Sequence, residues 1–231
     1  MKVGVLQFPG SNCDRDSYHA FSTVLGLPTR MVWHKEESLK DISLVVVPGG
    51  FSYGDYLRCG AIARFSPVIK ALRSFAGDGG AVIGICNGFQ ILCEAGLLPG
   101  ALIRNDCLEF RCTTVGLTGD SRRAHWEEAE LPAVSRIPVA HGEGNYRIDE
   151  EGYETLRKHD QILFRYREIS GWPRRRANPN GSLDSIAGIC NREGNVVGMM
   201  PHPERAVESF HPSRDGLPIL RAMVKMAGLK R

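Results

Sequence analysis

Short apolar runs, each ending abruptly at a glycine turn, constrain this chain more than any other feature. Val3, Val5, Leu6 and Phe8 stop at Pro9-Gly10. The segment Leu39 to Val47 ends in four consecutive apolar residues and stops at Pro48-Gly49-Gly50. Ala81 to Ile85 is unbroken and leads into Cys86-Asn87-Gly88. Runs of this length without alternation suit strands buried on both faces. Helical patterns separate them, so the chain predicts an α/β fold: an open, mostly parallel central sheet flanked by helices. The expected organisation is one domain over residues 1–231 with a small extra antiparallel portion.

Composition narrows the function classes. A chain of 231 residues is ample for a sizeable core. A net charge of +3 does not point to nucleic acid, and no apolar run approaches a membrane span. The first residues enter a strand pattern directly, so no signal peptide is expected. The 7 cysteines are scattered without a CxxC pair, which favours reduced thiols in a cytoplasmic protein over a disulfide framework or a zinc site.

In order, the expected elements are a strand from Lys2 to Phe8 and a helix running to about Leu25, with Ser11 and Asn12 as N-caps and Asp14 and Asp16 in its first turn. Cys13 reads there as a packed residue, since no histidine is near it in sequence. Thr29 to Trp33 is a second strand, and a helix spans roughly Gly60 to Phe75. Strands are expected around Asn105 within residues 101–115, and a polar surface loop within 118–136. Residues 137–146 read as a loop that shapes a pocket or a partner surface. Its His141 and Glu143 invite a metal reading that lacks a third ligand. Gln161 to Arg167 is a strand. Trp172-Pro-Arg-Arg-Arg176 is a basic turn, and Asn178-Pro-Asn-Gly-Ser182 is dense turn chemistry. Ile186 to Cys190 and Val196 to Met200 form a hairpin, and Asp215 to Leu229 is a closing helix.

Two stretches carry chemistry. Gly84-Ile-Cys-Asn-Gly88 joins a strand to a helix through a sharp turn, like a nucleophile elbow with cysteine for serine. A helix N-terminus favours thiolate there. By itself the motif fits a small buried cysteine equally well. In Pro201-His-Pro-Glu204, an extended backbone puts His202 and Glu204 on one side, a carboxylate beside an imidazole. Together they make a Cys-His-Glu triad in which Cys86 attacks a carbonyl carbon, His202 moves the protons and Glu204 orients the ring. The glycine-rich turn at Gly49, Gly50 and Phe51 ends a neighbouring strand, where open α/β sheets place their sites. An oxyanion would need two amides: Asn87 is one candidate, and Gly50 or Phe51 the other. Gln90, one turn into the helix, is placed to contact substrate. The reaction class is acyl transfer or amide hydrolysis through a thioester, with a stand-alone hydrolase as the competing reading.

These residues resemble the class I (triad) glutamine amidotransferases, through Gly84-Ile-Cys-Asn-Gly-Phe-Gln90 and Pro201-His-Pro-Glu204. Further segments resemble the glutaminase subunits that serve a purine-biosynthetic synthase. They are Phe8-Pro-Gly-Ser-Asn-Cys-Asp-Arg-Asp16, Pro48-Gly-Gly-Phe-Ser-Tyr-Gly-Asp-Tyr-Leu-Arg58, Ala140-His-Gly-Glu-Gly144, Asn178-Pro-Asn-Gly-Ser182 and Gly198-Met-Met-Pro-His-Pro-Glu-Arg205. The resemblance implies a flavodoxin-like architecture and the triad Cys86, His202, Glu204. It implies hydrolysis of L-glutamine, with the ammonia passed to a large synthase subunit that converts formylglycinamide ribonucleotide to formylglycinamidine ribonucleotide. A small subunit bridges the two. No cofactor or metal is expected on this chain, and ATP and Mg are expected on the partner. Cys59 departs from the pattern, standing where a small residue such as alanine is familiar.

Overall fold

The computed structural model describes residues 2–123, 126, 128–170 and 177–229; the arginine turn of residues 171–176 lies outside them. The apolar runs form the centre of the sheet, as their lack of alternation requires. Strands β1 (Lys2–Gln7), β2 (Thr29–Trp33), β3 (Ile42–Val47), β4 (Ala81–Ile85) and β11 (Val196–Met199) are mutually parallel, in the order β2-β1-β3-β4-β11. That is the flavodoxin-like order, with its switch point between β1 and β3. The sheet continues in antiparallel fashion through β10 (Ile186–Cys190), β9 (Ile162–Arg167), β6 (Arg111–Gly119) and β7 (Ser135–His141), nine strands among the described residues. A separate antiparallel pair joins β5 (Ala101–Ile103) to β8 (Asn145–Arg147).

Five α-helices lie among the described residues: α1 (Asp14–His19), α2 (Pro67–Gly77), α3 (Asn87–Glu94), α4 (Glu150–Lys158) and α5 (Gly216–Met226). Helix α3 packs on β3, β4 and β11, and α5 packs on β4 and β7. Every residue of β3 but Ser43, and every residue of β4, is buried. Close approach at the start of α3 depends on Gly88, where a Cβ would lie 1.8 Å from the Val47 carbonyl oxygen. No helix of the described residues is long and apolar enough to cross a membrane.

Several boundaries differ from expectation for identifiable reasons. Helix α1 is capped by Cys13 without a side-chain bond. Ser11 Oγ instead accepts from the Phe8 amide, and Asn12 Oδ1 accepts from the Cys13 thiol. After His19 the helix widens into one π-type turn over Ala20–Val24. The second helix starts at Pro67, because Ser66 is extended and proline favours a first helical position. Residues 135–141, expected in a loop, form strand β7, and only Gly142 to Gly144 turn the chain towards β8. Helix α4 was not anticipated, although its signals are present. Asp149 accepts from the Gly152 amide at 2.8 Å, Glu150 and Glu151 occupy the first turn, and Arg157 and Lys158 the last. The His202–Glu204 segment is a 3₁₀ turn over Pro203–Arg205, not extended chain.

Candidate active site

Four turns at the carboxyl ends of parallel strands meet beside the switch point: those after β1, β3, β4 and β11. The turn after β4 is Cys86, at φ 51° and ψ −108°. Such a backbone costs on the order of 1–3 kcal/mol for a non-glycine residue and persists only where its surroundings enforce it. Here the Cys86 amide donates to Met199 O at 2.8 Å, and its carbonyl accepts from Phe89 and Gln90 as α3 begins. The thiol is buried, with Ala140 O 3.6 Å from Sγ, and sits at the positive end of α3.

The turn after β11 delivers the imidazole. His202 Nδ1 lies 2.7 Å from Glu204 Oε1, and both side chains are almost fully buried. Beside a carboxylate, Nδ1 is the protonated nitrogen, so Nε2 is left to exchange protons. Nε2 has no hydrogen-bond partner among the described residues. Burial disfavours the imidazolium, but the Glu204 carboxylate and a Cys86 thiolate outweigh it and hold His202 well above its ordinary pKa. The i, i+2 pairing expected for an extended strand is thus realised on a 3₁₀ turn.

The turn after β3 supplies the third wall. A Cβ on Gly49 would lie 2.8 Å from His202 Cε1, 3.2 Å from Cys13 Sγ and 3.4 Å from Cys86 Cβ. The Gly49 carbonyl accepts from the Cys13 amide at 3.4 Å. In a trans peptide this turns the Gly50 N–H away from the Cys13 amide. The Phe51 N–H is spent on Gly10 O at 3.1 Å, whereas the Gly50 and Asn87 amides donate to no protein group among the described residues. Of the two alternatives, Gly50 is therefore the available donor. Phe51 instead presents its half-exposed ring, stacked on Phe110 at 6.5 Å.

The Asn87 side chain locks this turn to α3. It accepts from the Ser52 amide at 3.2 Å and donates to Asp55 Oδ1 and Gln90 Oε1. Gln90 in turn donates to Glu143 O at 2.6 Å. Both ends of the Gln90 carboxamide therefore have protein partners, so it braces α3 against the turn after β7. On the far side, the Tyr53 hydroxyl lies 2.8 Å from both His34 Nδ1 and Ser66 Oγ.

A model of the CobB/CobQ-like glutamine amidotransferase domain matches residues 1–216. A Nostoc protein named phosphoribosylformylglycinamidine synthase subunit PurQ is 53% identical over 226 residues, covering 97% of each chain. A Salinibacter ruber protein of the same name is 51% identical over 224 residues, covering 96% of this chain and 95% of its own. The chain belongs to the PurQ family of glutamine amidotransferases. A solved structure described as PurLQS from Thermotoga maritima superposes with a TM-score of 0.83 at 39% identity, covering 97% of both chains.

Within this PurQ-family fold, His141 at the end of β7 and Glu143 in the turn after it engage separate protein partners. His141 is buried with its Nε2 3.4 Å from Asn180 Nδ2, while Glu143 Oε2 accepts from the Cys59 amide. Burial, and then the charge of His202, push His141 down to about 4, so it is a neutral ring at neutral pH. Asn180 and Ser182 both donate to Gly144 O, which explains the dense turn chemistry of residues 178–182: it holds the turn after β7. The donor atoms of Cys13, His202 and Glu204 do lie within 4.8 Å of one another. Arg205 Nη2 sits 3.1 Å from that sulfur, however, and its positive charge opposes a metal cation. Cys59, the departure from the family pattern, has its thiol pushed up by burial and then by Asp55. A thiol held protonated in this way is a poor nucleophile. Cys13 was not legible as a site residue, because its spatial neighbours His202 and Arg205 are nearly two hundred positions away in sequence.

Proposed function

We propose that the chain hydrolyses L-glutamine to glutamate and ammonia with Cys86 as nucleophile, His202 as proton carrier and Glu204 as its orienting carboxylate. The observation that supports this best is the His202–Glu204 pair at 2.7 Å, sharing one wall with the strained Cys86 elbow at Gly49. The thiol proton passes to His202 Nε2, and the thiolate adds to the side-chain carbonyl of glutamine. The oxyanion is held by the amides of Asn87 and Gly50, in a water-poor site where losing one such donor costs roughly a hundredfold or more in rate. His202 then protonates the departing nitrogen, leaving a thioester and ammonia. Water, deprotonated by the same imidazole, attacks the thioester through a second oxyanion and releases glutamate. Gln90, Asn87 and Gly49 hold the walls of this pocket.

The ammonia is consumed on another polypeptide. The names of the relatives and of the PurLQS structure support a large synthase subunit as partner, with a small third subunit bridging the two. In this reading the synthase converts formylglycinamide ribonucleotide to formylglycinamidine ribonucleotide and holds ATP and Mg, while this chain needs no cofactor. The match over residues 1–216 supports treating the chain as one amidotransferase domain, and the reduced cysteines suit the cytoplasm.

The test is glutamate release from glutamine, with and without the synthase subunit and its substrates. Cys86→Ala is expected to abolish glutamine-dependent synthesis and leave ammonia-dependent synthesis intact. A glutamine-analogue electrophile is expected to label Cys86. Residual glutamine hydrolysis by the Cys86→Ala chain would refute the mechanism.

A further inference from the structure

Cys13 stands at the start of α1, almost fully buried, and no step above uses it. Folding sets its sulfur against the site. The donor atoms of Cys13, His202 and Glu204 cluster within 4.8 Å, and one Cβ placed on Gly49 would touch both the sulfur and the imidazole. The thiol donates to Asn12 Oδ1 at 3.2 Å, and the sulfur accepts from Arg205 Nη2 at 3.1 Å. Arg205 Nε is held by Asp16 at 2.8 Å. The Cys13 amide, on the same residue, fixes the Gly49 carbonyl.

The consequence lies in the charges. Glu204 spends Oε1 on His202 and has no partner on Oε2 among the described residues. A guanidinium beside such a carboxylate forms a bidentate pair with it when nothing intervenes. Arg205 follows Glu204 in sequence, yet it is engaged by the Cys13 sulfur and Asp16 instead. The groups that act on His202 are Glu204 on its own turn, Cys86 at the start of α3, Cys13 at the start of α1, and His141 from β7, with Arg205 and Asp16 held beyond the Cys13 sulfur.

We propose that Cys13 is a positioning residue for the hydrolysis: its sulfur walls the His202 ring and retains Arg205 away from Glu204, while its amide orients the Gly49–Gly50 peptide. The proposal rests on the triad reading above. It assigns a purpose to the segment from Phe8 to Asp16, which the reaction steps leave unexplained. Burial also pushes the Cys13 thiol up, so at neutral pH the wall is an uncharged sulfur beside the triad.

The test uses the full chain with its synthase partner and follows glutamate release against pH for wild type, Cys13→Ala, Cys13→Ser and Cys13→Ala with Arg205→Met. Cys13→Ala is expected to lower kcat about tenfold with KM little changed, the scale of a small misplacement at a reacting centre. Its basic limb is expected to fall by about one pH unit, because Arg205 then pairs with Glu204 and the imidazolium loses its counter-charge. Arg205→Met in the same chain restores the limb. Cys13→Ser, which keeps a polar atom on Arg205, lies between. The proposal is overturned if Cys13→Ala matches wild type, or if kcat falls with the limb unmoved, as ordinary packing loss would give. Should the alanine variant fail to fold, Cys13→Ser with and without Arg205→Met decides the same question. A wild-type chain that releases no glutamate would instead sink the triad reading itself.

Discussion

Gly49 and His202 are packed so closely that a single added methyl would lie 2.8 Å from the imidazole Cε1. The nucleophile, the base and the strand-end turn are therefore one packed unit, not three groups that happen to point into a common space. Gly49→Ala is expected to push the His202 ring away from Cys86. The expected loss in kcat is roughly a hundredfold, because displacements of about 1 Å at a reacting centre have that scale. Thermal stability measured beside activity separates ring displacement from unfolding, since Gly49 does not occupy the left-handed region where alanine would be strained.

Glu204→Gln keeps the shape of the pair and removes the charge. Burial then meets less opposition at His202, with the Cys86 thiolate still raising it, so its pKa falls and the basic limb of kcat/KM moves to lower pH. Activity is expected to drop by a hundredfold or more, roughly the scale of losing an orienting carboxylate in a triad. Stability has its own signature. His202 is raised in the folded chain, so the pair stabilises fully below the unfolded imidazole pKa of about 6.5 and loses that contribution as pH rises through the folded value. The difference in melting temperature between wild type and Glu204→Gln is accordingly expected to narrow as pH is raised from near that value.

Asn87→Ala removes two hydrogen bonds that tie α3 to the turn carrying Gly50, with partners Ser52 and Asp55, and a third within α3 to Gln90. Leaving such buried partners unsatisfied costs on the order of 1–3 kcal/mol. The backbone amide proposed for the oxyanion remains. The loss in kcat is thus expected to be smaller than for Gly49→Ala, and denaturant unfolding is expected to show the lower stability directly.

Asn180→Ala tests the support under the turn after β7. Its amide donates to Gly144 O at 2.7 Å and lies 3.2 Å from the Tyr166 hydroxyl, all in the buried interior. The expected cost is again about 1–3 kcal/mol, which in a chain of this size lowers Tm by several degrees at about 2–4 °C per kcal/mol. Unchanged Tm would mean the turn is held by the Ser182 hydroxyl on Gly144 O and by Asn105 Oδ1, which accepts from the Gly144 amide at 2.9 Å.

Much of this was legible in order along the chain. Unbroken apolar runs such as those of β3 and β4 announced strands buried on both faces, and the glycine turns after them marked the strand ends where the site lies. The pair His202 and Glu204 was legible through its spacing, even though the backbone between them proved to be a 3₁₀ turn. Helix α4 carries the charges of a helix at both ends, but Leu156 is its one buried residue among those described, so little apolar periodicity marks it. Strand β7 was hidden by Pro138 and its glycine-rich end, since sheet pairing with β6 overrides local preference.

What the amino-acid sequence determined by itself was the set of local structures and the chemical types on offer: a thiol at an elbow, an imidazole two residues from a carboxylate, a double glycine. Tertiary structure alone decided which amide is free, with Phe51 spent on Gly10 and Gly50 left available, and it turned Gln90 into a brace. It also brought Cys13 beside His202. Those outcomes depend on contacts between segments far apart in the chain, and periodicity and propensity describe only neighbours. The order β2-β1-β3-β4-β11 brings the loops together, and close packing then leaves each group one place to stand.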